Sequence, residues 1–156
     1  MPIQRVTHIG LCVSDLERSR HFYRDLLGFE EKTHFTVDGE PTATTMGLPE
    51  LSLHCAFLER DGIRIELMSF PTPGTVGETA LRPTNHVGFT HFGCRVQDIE
   101  EVERRLVSGG AQVLHDTRVE NPDFESKLLW VTDPDGVRIE LVEMPGDPAA
   151  LLGEPV

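Results

Sequence analysis

Two segments of this chain occur twice. Thr7 to Leu16 (THIGLCVSDL) returns as Thr90 to Ile99 (THFGCRVQDI), and Asp61 to Met68 (DGIRIELM) returns as Asp135 to Val142 (DGVRIELV). A sequence duplicated in this order can fold as two similar modules, each opened by the first segment and closed by the second. Each module carries one His and one Glu at matching places: His8 and Glu66, then His91 and Glu140. Two imidazoles and two carboxylates form a suitable first shell for a divalent transition metal.

The length, 156 residues, is that of about one domain and is enough to bury a core without staples. The expected layout is one domain over 1–144, with modules at about 1–70 and 88–144. A linker at 71–87, rich in Pro, Gly and Thr, joins them, and a C-terminal tail follows at 145–156. Hydrophobic content of 38% and charged content of 26% match an ordinary soluble protein. The formal net charge of -12 repels nucleic acid and anionic membranes, and no Lys/Arg cluster opposes it. No apolar run approaches the roughly 20 residues of a membrane span, and the first residues lack a signal-peptide layout. Cys12, Cys55 and Cys94 are an odd set with no close-spaced pair, as expected of reduced thiols in the cytoplasm.

The hydrophobic pattern places a strand at 3–13, with Ser14 and Asp15 as N-cap oxygens for a helix. Leu16, Arg20, Tyr23, Leu26 and Leu27 recur at helical spacing, and Gly28 offers a left-handed stop. Strands follow at 30–37, 51–59 and 63–69, the last two joined by the tight turn Arg60-Asp61-Gly62. The second module repeats the plan: a strand at 89–96, a helix at 98–108, then strands at 111–119, 128–132 and 137–143. The fold expected is α+β, two tandem βαβββ modules forming a cupped, mostly antiparallel sheet.

Strand alternation separates the faces. Ile9, Leu11 and Val13 oppose His8, Gly10 and Cys12; Phe92, Cys94 and Val96 oppose His91, Gly93 and Arg95. Glu66 opposes Ile65 and Leu67, and Glu140 opposes Ile139 and Leu141. The apolar faces suit packing under helices, which leaves the candidate ligands on the free faces, with glycines keeping space beside each His. His54, opposite Leu53 and Cys55, is either a cavity group that shuttles protons or a partly buried strand histidine. Trp130 either fills core near the cavity or forms a substrate wall. Arg64 and Arg138 share the faces of the Glu residues and either hold an anionic substrate or pair with carboxylates. His21, His34, His86 and His115 read as surface, rim or linker residues.

The segments His8 to Phe29 and Asp133 to Glu143 (DPDGVRIELVE) resemble the vicinal oxygen chelate superfamily, which includes glyoxalase I, methylmalonyl-CoA epimerase, extradiol dioxygenases and bleomycin-resistance proteins. The resemblance implies a divalent ion (Ni, Co, Zn, Mn or Fe) on His8, Glu66, His91 and Glu140, and a small substrate that chelates it through adjacent oxygens. Extradiol enzymes lack a ligand at the Glu66 position, so the likeness is nearer the glyoxalase and epimerase type. There a proton moves beside a carbonyl, with Glu140 or Glu66 as base. Glutathione-handling relatives carry polar anchors where this chain has Cys12, Phe70 and Val87. Cys12, His54, Met68, Phe70 and Trp130 instead suggest a more apolar pocket. The alternatives are an Fe(II)-dependent extradiol-type dioxygenase using His8, His91 and Glu140, and a metal-free antibiotic-binding protein. A homodimer is expected, since related folds pair modules within one chain or across two.

Overall fold

The computed structural model describes residues 2–77 and 81–150, and the chain divides into two units, Met1–Thr79 and Ala80–Val156. In the first, β1 (Ile9–Cys12) leads to α1 (Leu16–Arg20), a π-helical turn (His21–Leu26), β2 (Glu30–Asp38), α2 (Thr42–Met46), β3 (Ser52–Arg60) and β4 (Ile63–Thr72). In the second, β5 (His91–Val96) is followed by α3 (Ile99–Ser108), β6 (Gln112–Asn121), a 3-10 turn (Pro122–Phe124), β7 (Ser126–Thr132) and β8 (Arg138–Glu143). The sheets have the same topology, in the orders β1-β4-β3-β2 and β5-β8-β7-β6. In each, the first strand runs parallel to the last and the other pairings are antiparallel. The chain is thus α+β, with two open four-stranded mixed sheets. Among the described residues no helix is long and apolar enough to cross a membrane.

Local chemistry explains the boundaries. Asp15 caps α1 by accepting from Arg18 N at 3.0 Å, and Asp98 caps α3 by accepting from Glu101 N at 2.8 Å. These carboxylates satisfy amides that have no partner within the helix and face the positive end of its dipole. Glu143 also accepts from Ile99 N at 2.7 Å, tying the start of α3 to β8. The hairpin β3–β4 turns through Asp61 and Gly62, with φ of 51° and 80°, the left-handed pair that matches strand twist.

One face of each sheet is packed under its helix. In the first unit the register aligns Ile65 with Leu58 and Leu67 with Ala56, all nearly or wholly buried, and α1 packs on β3 and β4. In the second, Leu129 pairs with Leu141 and Val131 with Ile139, all fully buried beside Ile99 and Leu106 of α3.

Three local differences from the sequence pattern have physical causes. β1 spans only Ile9–Cys12; β4 begins at Ile63, so in their parallel register residues before Thr7 have no ladder partner, and Ile3 and Val6 are 71% and 82% exposed. The helix after Asp15 widens into a π turn, closed by Leu27 N donating to Phe22 O, and Phe22 and Tyr23 are both fully buried there. The third difference is α2, a short helix of β-branched and small residues. Its Ala43 packs against Leu51, Leu53 and Cys55, with Met68 and Phe70 alongside.

Candidate functional site

Register places the His and Glu of each unit side by side. Gly10 pairs with Glu66 in the parallel ladder β1–β4, so His8, two residues earlier, lies on the Glu66 face. Gly93 pairs with Glu140, and His91 stands on that face likewise. His8 Nε2 lies 3.2 Å from Glu66 Oε2, and His91 Nε2 lies 3.7 Å from Glu140 Oε2. Ligands at about 2.0–2.2 Å from one ion stand about 3–3.5 Å apart when they occupy neighbouring positions of its shell. The first pair fits that spacing and the second is slightly wider, and their donors are of the type that borderline cations prefer. Each unit therefore brings together two candidate ligands; among the described residues no group of three or more His, Cys, Asp or Glu is gathered for an ion.

The surroundings of the pairs are duplicated too. Thr7 Oγ1 is 2.9 Å from His8 Nδ1, and Thr90 Oγ1 is 3.0 Å from His91 Nδ1. An aromatic residue stands opposite each Glu on the neighbouring strand: Phe57 pairs with Glu66, and Trp130 with Glu140. The Phe57 ring meets His8 edge-on with centroids 5.1 Å apart, and Trp130 lies 4.6 Å from the His91 ring. Trp130 Nε1 donates to Glu140 Oε1 at 3.3 Å, which leaves Oε2 facing His91. Phe35 stacks on Phe57 and extends the apolar wall of the first unit.

Glu66 has a different neighbour, the Cys55 thiol. Burial, then the charge of Glu66 and a hydrogen bond to it, push this thiol up to about 12. Cys55 therefore stays protonated at neutral pH and donates to the carboxylate. An inert buried thiol of this kind positions a partner and does not attack substrate.

The other sequence candidates divide clearly. Met68 lies on the Glu66 face, and its terminal methyl occupies the room above Gly10, where an added Cβ would approach it to 2.8 Å. Gly93 leaves room for the Glu140 carboxylate, 3.6 Å from where a Cβ would sit. Phe70 packs with Met68 beside Leu53 and Cys55. Cys12 pairs with Met68 across the ladder and is exposed. His54 goes elsewhere: it pairs with Ser69, on the face opposite Cys55 and Glu66, and is exposed. β3 is apolar on both sides, with Ala56 and Leu58 under the helix and Leu53, Cys55 and Phe57 on the ligand face, so alternation alone did not assign its phase.

The two arginines also part company. Arg64 is spent on Glu59. Arg138 lies 6.0 Å from the centre of the Trp130 ring and donates to the Arg82 carbonyl. His21 pairs with Asp25, and His34 with Glu31, away from the ligand faces. Phe57 is the residue that the sequence reading missed. Its signal was the hairpin register, since the Asp61-Gly62 turn fixes which β3 residue faces Glu66.

Residues 5–141 match the Glyoxalase/Bleomycin resistance protein/Dioxygenase superfamily. The chain is 30% identical over 141 residues to the YaeR protein of Escherichia coli, covering 90% of this chain and 97% of that one. It is 27% identical over 117 residues to mitochondrial methylmalonyl-CoA epimerase of Bos taurus, covering 70% of this chain and 60% of the epimerase. Identity to catechol-2,3-dioxygenase of Bacillus subtilis is 28% over 145 residues, covering 89% of this chain and 42% of the dioxygenase. The chain thus spans less than two thirds of either enzyme. Among solved structures, a glyoxalase family protein of Bacillus cereus aligns with a TM-score of 0.81 at 25% identity, covering 94% of this chain and 97% of that one. The fosfomycin resistance protein FosX of Listeria monocytogenes, solved with Mn(II) and sulfate, shares the fold with a TM-score of 0.57 at 20% identity, covering 94% and 97%. The duplicated sheets, the paired His and Glu in each, and a match running through both units lead to one conclusion: this chain belongs to the Glyoxalase/Bleomycin resistance protein/Dioxygenase superfamily.

Proposed function

We propose that the chain is a metal-dependent lyase or isomerase that moves a proton next to a carbonyl of a small, oxygen-chelating substrate. His8, Glu66, His91 and Glu140 form the ligand set, completed within one chain or by exchange between two copies. The observation that carries this reading is the duplication of the His–Glu pair, 3.2 Å and 3.7 Å apart, on the sheet face turned away from α1 in the first unit and from α3 in the second. Retention of Glu66 at the position extradiol enzymes leave without a ligand favours proton transfer, and likeness to an epimerase agrees with it.

A divalent ion on this donor set supplies Lewis acidity to a carbonyl oxygen and so lowers the pKa of the neighbouring C–H. Glu140 is the base: the Trp130 indole donates to Oε1 and so orients the carboxylate that takes the proton. Glu66, steadied by the Cys55 thiol, is the second acid–base group. Phe57, Phe35 and Trp130 provide apolar walls that strengthen electrostatic interactions beside them.

The deciding experiment is anaerobic purification with elemental analysis, followed by incubation of candidate carbonyl acids and thioesters in D₂O. The expected result is about one divalent ion per ligand set and deuterium uptake at the carbon beside the carbonyl. Oxygen consumption without such uptake would instead support a dioxygenase, and a protein that takes up no metal would support a binder.

Lactoylglutathione formation is expected to be poor. Cys12 and Phe70 offer no cationic or amide anchor for the glutathione carboxylates, and Val87 is a fully exposed apolar side chain. Robust turnover of the methylglyoxal–glutathione hemithioacetal by nickel- or zinc-loaded protein would refute this.

A further inference from the structure

We propose that Thr7 and Thr90 are positioning residues that carry the Nδ1 proton of His8 and His91 when Nε2 of each ring is bound to metal. The inference rests on the ligand set proposed above. Its basis is a contact made twice: hydroxyl to Nδ1 at 2.9 Å in the first unit and 3.0 Å in the second. In both, Nε2 is the nitrogen turned to the carboxylate. An imidazole that binds metal through Nε2 must hold its proton on Nδ1, and that N–H needs an acceptor fixing both tautomer and ring angle.

A hydroxyl suits this place better than a carboxylate or carbonyl would. Before an ion arrives, each Nε2 faces a Glu oxygen and can hold the proton, so Nδ1 is a bare acceptor and the threonine donates to it. Once Nε2 gives its lone pair to metal, the proton resides on Nδ1 and the hydroxyl turns to accept it. A rotating O–H serves both states without losing a hydrogen bond. A fixed acceptor would favour only the loaded tautomer. The threonines therefore let the histidines take up and release an ion with their rings already oriented.

Valine keeps the branched shape of threonine and removes only the hydroxyl, while serine keeps the hydroxyl. Calorimetric titration of metal-free protein with Zn(II) is expected to show about a tenfold loss of affinity for Thr7→Val and for Thr90→Val, and roughly a hundredfold loss for the double variant. The double serine variant should bind as wild type does. In Zn(II)-loaded wild-type protein, NMR should show slowly exchanging Nδ1–H signals for His8 and His91, broadened in the valine variants. Affinity and signals unchanged by valine, while His8→Ala and His91→Ala each weaken binding, would overturn the inference and leave the ligand set standing. Zn(II) affinity indifferent to both histidine replacements would overturn the ligand set and the inference together.

Discussion

Glu140→Gln protein, loaded with metal to the wild-type level, is expected to exchange the substrate proton about 10²–10⁴-fold more slowly, the usual consequence of losing a general base. Glutamine preserves the volume of the side chain and its oxygen can still accept from Trp130 Nε1, so the indole and the His91 ring should keep their places. What disappears is the basic oxygen now facing His91. Metal content must be measured on the same sample, because the carboxylate is also a proposed ligand. Equal metal with full exchange would move the base to Glu66, which the Cys55 thiol holds on the corresponding face of the first unit. Equal metal with exchange lost and oxygen still consumed would favour the dioxygenase reading.

The features legible in the sequence were those fixed by local rules. Asp15 and Asp98 announce helix starts because short carboxylates satisfy free amides there. Asp61-Gly62 announces a hairpin because both residues tolerate positive φ. Glu66 and Glu140 could be assigned to the faces turned away from α1 and α3 because their neighbours on either side are aliphatic and deeply buried. The repeat then supplied what single strands could not, since a matching position in a second module tests the first.

The features it missed depend on contacts between elements. His54 looked like a cavity residue because β3 alternates two apolar sets, and only pairing with β4 shows that Cys55 and Phe57 share the Glu66 face. Phe57 escaped notice as a companion of His8 for the same reason. The helix α2 carries three threonines and a low intrinsic helix propensity; burial of Ala43 against Leu51 and Leu53 overrides that preference. Nor did the residue types of Arg64 and Arg138 separate an arginine spent on Glu59 from one set over Trp130.

The largest stability effect is expected at Phe22, which with Ser19, Tyr23 and Leu27 forms the buried stripe of the segment after Asp15. Phe22 and Tyr23 are both fully buried, meeting edge-on with centroids 5.5 Å apart. Phe22→Ala should destabilise the protein by about 3–5 kcal/mol, from lost transfer energy and an unfilled cavity. That is a large part of the roughly 5–15 kcal/mol typical of a folded domain. Phe35→Ala is the control: Phe35 is 43% exposed and stacks on Phe57, so the loss should be about 1 kcal/mol or less. Urea titration of both variants measures the difference. Comparable losses would mean that Phe22 is not the core residue its burial makes it.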